Sequence, residues 1–222
     1  MPRSRGRFVT FEGLDGCGKT TQLKKLAETL RRQGVQVVTT REPGGTPIGE
    51  KVRAVLLDSR TKGLAPLAEL ALMFASRAQQ IHQVILPALQ SGKWVLCDRF
   101  TDSSEAYQGG GRQLGSARVL ALHQALCGGL QPDLTLLLLS DPRKSVQRAR
   151  GRNKRAKHIA DEGRFELEKA AFFQRVFKSY LAIARREAKR VVKIESTHTI
   201  PEVQKEVWVA VQARLLRKAG GR

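Results

Sequence analysis

A chain of 222 residues with 41% hydrophobic content carries enough apolar material for one packed domain. Its longest apolar run, Leu134–Leu139, contains Thr135 and falls far short of the ~20 residues a membrane-spanning helix needs; the basic segment 1–7 lacks the apolar stretch that follows it in a signal peptide. A formal charge of +20 admits a nucleic-acid binder, but the cations are spread along amphipathic segments and aromatics make up only 5%, so a solvated surface with a phosphate-handling pocket is expected and direct nucleic-acid binding is not.

Taken in chain order, short apolar or β-branched runs alternate with longer amphipathic ones. Residues 7–11, 35–40, 94–97, 134–139 and 190–194 predict strands. Residues 19–32, 49–58, 67–90, 117–126, 143–150, 166–188 and 201–218 predict helices. Such alternation implies an α/β fold with a parallel sheet covered on both faces, and nothing in the composition splits the chain into two domains. Two stretches fit neither pattern. Residues 108–112 read as a glycine loop, and residues 151–163, polar, basic and bounded by glycines, read as a lid. Cys17, Cys97 and Cys127 lie at no metal-ligand spacing, and their odd number favours a reducing compartment, hence a cytoplasmic chain.

The strongest signal follows the first strand. Gly13, Leu14, Asp15, Gly16, Cys17, Gly18, Lys19 and Thr20 spell G-x-x-x-x-G-K-T, and Thr21 continues into a predicted helix. Glycines let backbone N–H groups converge on phosphate oxygens, and the helix N-terminus adds partial positive charge. Lys19 would reach the β- and γ-phosphates of ATP, and the Thr20 hydroxyl would ligate Mg²⁺. No D-x-x-G switch after the second strand and no N-K-x-D motif accompanies the loop, which argues against a GTPase. A kinase needs a second anion site facing the P-loop. Asp98 and Arg99, closing the strand at 94–97, supply one: Asp98 in the magnesium and water shell, Arg99 on an acceptor phosphate.

Residues 11–21, residues 40–45 (Thr-Arg-Glu-Pro-Gly-Gly), Asp98-Arg99, residues 106–109 (Ala-Tyr-Gln-Gly) and Arg164-Phe165-Glu166 together resemble the thymidylate kinase family over essentially the whole chain. The resemblance implies a P-loop NTPase three-layer fold with a five-stranded parallel sheet and a lid at about 148–164, ATP with magnesium as donor, thymidylate as acceptor, and a homodimer through helices such as that at 67–90. It places Asp15 near the sugar 3′-hydroxyl and the phosphate-magnesium region, Arg77 on the thymine ring and Arg99 on the acceptor phosphate. Arg41 and Pro43 would line the acceptor site, as would Ser103, Ser104, Tyr107 and Gln108, with Tyr107 crowding a 2′-hydroxyl. Either Met73 or Phe74 would pack on the base. Because the P-loop has no arginine at its variable positions, the chain is similar to the bacterial members whose catalytic arginine sits in the lid, where Arg148, Arg150, Arg152, Arg155 and Arg164 are available. A kinase for another nucleotide or small acceptor, and a basic nucleic-acid-associated ATPase, keep the same P-loop and remain as alternatives.

Overall fold

The computed structural model describes residues 5–156 and 163–216, the side chains of 150 and 152–156 excepted. Strand β1 (Phe8–Glu12) is buried at every position, because it lies at the centre of a five-stranded parallel sheet ordered β2-β3-β1-β4-β5. Its partners are β3 (Trp94–Asp98) and β4 (Leu134–Leu139); β2 (Val37–Arg41) and β5 (Val191–Glu195) form the edges.

Side chains alternate across β1. Val9 and Phe11 pack with α1 (Lys19–Arg32) and α9 (Ile200–Val211) on one face. Phe8 faces the other side, with α3 (Pro66–Gln80), α4 (Leu86–Gln90) and α6 (Ser116–Cys127). Leu137 and Val191 meet α8 (Ala170–Arg186) on that side too. Both faces are therefore covered, as the unbroken apolar strands predict. Cys17, Cys97 and Cys127 are buried free thiols. Among the described residues no helix is long and apolar enough to cross a membrane.

Register sets the site. Phe11 pairs with Asp98 and Glu12 with Leu137, so β1 and β3 end within one residue of each other and β4 runs two residues further, at one common edge. Ligands of open α/β sheets bind at that edge.

Three elements depart from the predicted ones. The helix at 67–90 is interrupted by a π-helical turn at Ile81–Ile85, just before Pro87, whose missing N–H cannot continue an α-helical ladder. The glycine loop is instead a π-helical segment, Glu105–Gly111, running on from the short α5 (Thr101–Ser104). It packs so closely on α8 that a Cβ on Gly110 would fall 1.9 Å from Ser179 Oγ. Finally α7 (Pro142–Ala156) runs through Gly151 into the basic segment read as the start of a lid, while residues 157–162 of that lid lie outside the described residues. Beyond them a 3₁₀ turn, Arg164–Leu167, precedes α8.

Candidate active site

Two depressions meet at the carboxyl edge of the sheet. One follows the P-loop and α1, lined among others by Gly16, Gly18, Lys19, Thr20 and Asp98. The other is a deeper pocket between α2 (Pro47–Leu57), α3 and the α5–π segment. Asp15, Glu42, Arg53 and Arg99 line both, so they form the partition where the two spaces join.

In the first cleft, Gly18 is the N-cap of α1 with φ +98° and no side-chain cap, which directs the first-turn N–H groups toward the loop's concavity. Lys19 Nζ donates to the carbonyls of Gly13 at 3.1 Å and Leu14 at 2.9 Å. Gly16 must be glycine on two counts: φ is +79°, and a Cβ would lie 2.4 Å from the Ser145 carbonyl and 3.0 Å from the Ala149 nitrogen. That contact seats α7 on the loop, with Arg148 beside it. Thr20 Oγ1 donates to Asp98 Oδ2 at 2.5 Å. Two oxygen donors at that spacing suit a hard cation such as Mg²⁺, which takes one or two protein oxygens and completes its shell with water and phosphate.

At the partition, Arg99 adopts a left-handed backbone, φ +73°. Its Nη2 donates to Asp15 Oδ1 at 2.7 Å, and Tyr107 donates its hydroxyl to Asp15 Oδ2 at 2.9 Å. Burial alone would raise the Asp15 carboxyl, but the charges of Arg99 and Lys19 outweigh it and hold the group well below the usual carboxylate range. Asp15 is thus a carboxylate at neutral pH.

The deeper pocket is built on Arg77, itself almost fully buried. Arg77 Nε donates to Glu42 Oε2 at 2.7 Å, and Nη2 donates to Ser104 Oγ at 2.9 Å and the Phe100 carbonyl at 3.2 Å. Arg77 Nη1 and Glu42 Oε1 have no hydrogen-bond partner among the described residues. Burial pushes the Glu42 carboxyl up to about 6 despite the Arg77 charge. Gln108 Nε2 donates to Glu69 Oε1 at 2.8 Å, and Phe165 and Glu166 of the 3₁₀ turn close the pocket's side.

Most of the predicted contacts converge here. Asp15, Pro43, Met73, Arg77, Arg99, Ser103, Ser104, Tyr107 and Gln108 all line the deeper pocket. Phe74 does not. It is a core residue of α3 with its ring 4.6 Å beneath the Arg77 guanidinium, so of the two candidates for the base it is Met73 that reaches the wall. Arg41 lines the P-loop cleft rather than the deeper pocket and pairs with Glu50 at 2.9 Å. Arg164, read as a catalytic arginine, is buried: its Nε bonds to the Leu56 carbonyl and its Nη2 lies 2.7 Å from Glu69 Oε2. It anchors the 3₁₀ turn and lines neither space. The side chains of Arg150 and Arg155 lie outside the described residues.

Sequence reasoning missed Glu12, Glu69 and Tyr180. Glu12 had a legible signal, an acid directly after an apolar predicted strand and before the P-loop; Tyr180 and Glu69, single polar groups on long helices, had none.

Comparison with known proteins agrees with this geometry. The thymidylate kinase family model matches residues 11–207. The chain is 44% identical over 218 residues to the thymidylate kinase of Alkalilimnicola ehrlichii, covering 98% of each, and 46% identical over 214 residues to that of Desulfovibrio desulfuricans, covering 96% of this chain and 99% of the relative. The crystal structure of thymidylate kinase from Ehrlichia chaffeensis superposes with a TM-score of 0.73 at 33% identity, over 94% of this chain and 99% of that one. A P-loop at the head of a five-stranded parallel sheet, a second pocket joined to it, and relatives of this closeness along nearly the full length place the chain in the thymidylate kinase family.

Proposed function

We propose that the chain transfers the γ-phosphoryl group of ATP to thymidylate, giving ADP and thymidine diphosphate. The observation that carries this reading is the partition: the phosphate cradle and the deeper pocket open onto each other at Asp15 and Arg99. Two phosphate-bearing molecules bound from opposite sides would bring their phosphates together at that guanidinium.

Each described residue then has a task. Lys19 exchanges its loop carbonyls for β- and γ-phosphate oxygens, a move along a flexible ammonium stem. Arg99 brings its guanidinium charge to the acceptor phosphate, and the ionised Asp15 opposite keeps it aimed. Thr20 and Asp98 would hold magnesium, which would supply charge neutralisation on the phosphates. Arg77 donates to the thymine ring, Met73 lies against its face, and Tyr107 guards the sugar. Positioning and electrostatics suffice for in-line transfer without a covalent enzyme intermediate. Arginines of α7 and the lid, Arg148, Arg150 and Arg155 among them, stabilise the charge spreading over the transferring group; Arg148 is already beside Gly16.

In the same reading the chain is one domain with a lid at about 148–164, and it pairs as a homodimer. Helices α2 and α3 carry the exposed Ile48, Val55 and Leu67 that such pairing would cover. Light scattering would give a mass near twice 24.6 kDa.

The test is ADP release with ATP and magnesium across thymidylate, deoxyuridylate, cytidylate, adenylate and guanylate. Turnover with thymidylate should exceed the rest by an order of magnitude or more, and equal stimulation by all five would reject the acceptor assignment.

A further inference from the structure

A left-handed backbone is rarely adopted by a long side chain, and it persists only where surrounding contacts over-determine it. Arg99, at φ +73°, is such a residue, and the contacts that hold it converge on Glu12. Glu12 Oε1 accepts the backbone N–H of Phe100, the residue next to Arg99, at 2.7 Å. Glu12 Oε2 accepts the Ser103 hydroxyl at 2.5 Å and the Tyr180 hydroxyl at 3.1 Å. Those same two hydroxyl oxygens accept from Arg99 Nη1, at 2.9 Å from Ser103 and 3.2 Å from Tyr180. One carboxyl therefore fixes Arg99 twice, by its backbone through Phe100 and by its guanidinium through two hydroxyls.

Glu12 is fully buried and Tyr180 is 1% exposed, and neither lines either depression. A buried carboxyl at the end of a central strand is costly unless its oxygens are used. Asp15 holds the other edge of the guanidinium through Nη2, so Nη1 depends on the Glu12 side for its direction.

We infer that Glu12 and Tyr180 are positioning residues of the acceptor subsite, setting the angle at which Arg99 presents its guanidinium to the incoming phosphate. The inference rests on the reading that Arg99 grips the acceptor phosphate. Tyr180 extends the device beyond the sheet: it comes from α8, the helix that follows the pocket's 3₁₀ wall.

Two variants of the full chain test it, Tyr180→Phe and Glu12→Gln. The measurements are steady-state kinetics with ATP and thymidylate, competitive inhibition by thymidine, and thermal melting. Thymidine offers the same base and sugar without the phosphate. Tyr180→Phe should raise the KM for thymidylate about tenfold, the scale of weakening one hydrogen bond to a charged group. The KM for ATP, the inhibition constant of thymidine and the melting temperature should stay near wild type. Glu12→Gln should shift the thymidylate KM further in the same direction; if it fails to fold, Tyr180→Phe still decides. An unchanged thymidylate KM in Tyr180→Phe overturns the inference, and so does equal weakening of thymidine and thymidylate, which would mark general damage to the pocket. A wild-type chain indifferent to thymidylate would overturn the acceptor reading, and the inference with it.

Discussion

Glu12 and Glu42 are both buried carboxyls, Glu12 behind the site and Glu42 on its lining. Burial pushes Glu12 up to about 7, with the Asp102 charge adding to it and hydrogen bonds from Ser103 and Phe100 opposing. A carboxyl raised above its ordinary 4.5 binds its proton more tightly folded than unfolded, so its stabilising contribution is intact below 4.5 and is lost as pH climbs through about 7. Replacement by glutamine deletes that titration. The melting temperature of Glu12→Gln minus that of wild type should therefore rise from about pH 5 to about pH 8. A difference that stays flat across the range would contradict the assignment. Glu42→Gln should behave likewise over a window that closes nearer 6. Neighbouring residues on α3 separate stability from binding in a second way. Phe74→Ala empties a fully buried position beneath Arg77 and should cost about 3–5 kcal/mol in denaturant unfolding. Met73→Ala, at the half-buried pocket wall, should cost less stability and instead raise the KM for thymidylate. The reverse pattern would return Phe74 to the base.

At the scale of elements, the sequence was legible wherever periodicity and burial agree. The bounds of α1 and β4 coincide with the predicted ones, because an amphipathic stripe after the P-loop and a continuous apolar run each admit one arrangement. The P-loop and Asp98-Arg99 were legible for another reason, that phosphate chemistry ties residue type to spacing, whereas the residues of the deeper pocket came only from the family resemblance. What escaped was set by packing between distant segments. Glycine at 109–111 ordinarily signals a loop, yet here it lets the π-helical segment approach α8, a demand that Ser179 and Phe172 impose from far along the chain. Gly110→Ala should push these elements apart at a cost of about 1–3 kcal/mol, and adding Ser179→Ala should recover part of it in the same unfolding assay. Full additivity of the two substitutions would show that the contact is not what requires the glycine. Arg164 lies away from both spaces for a related reason. An arginine beside a basic segment looks like a phosphate ligand, but Glu69, buried on α3, claims it.

Across the whole molecule, the +20 charge acts on substrates that are anions. A positive field raises their local concentration, and salt screens it over about 8 Å at physiological ionic strength. The kcat/KM for thymidylate should therefore fall several-fold between ~50 and ~500 mM NaCl while kcat changes little; a kcat/KM indifferent to salt would confine electrostatics to the pocket. The account as a whole depends on the two spaces meeting at Arg99, so that phosphoryl passes from one bound molecule to the other. The most direct measurement follows the label from [γ-³²P]ATP in the presence of thymidylate and magnesium. The predicted result is label in thymidine diphosphate in step with ADP, with little in inorganic phosphate. Label released as phosphate at a rate independent of thymidylate would contradict it and make the chain an ATPase.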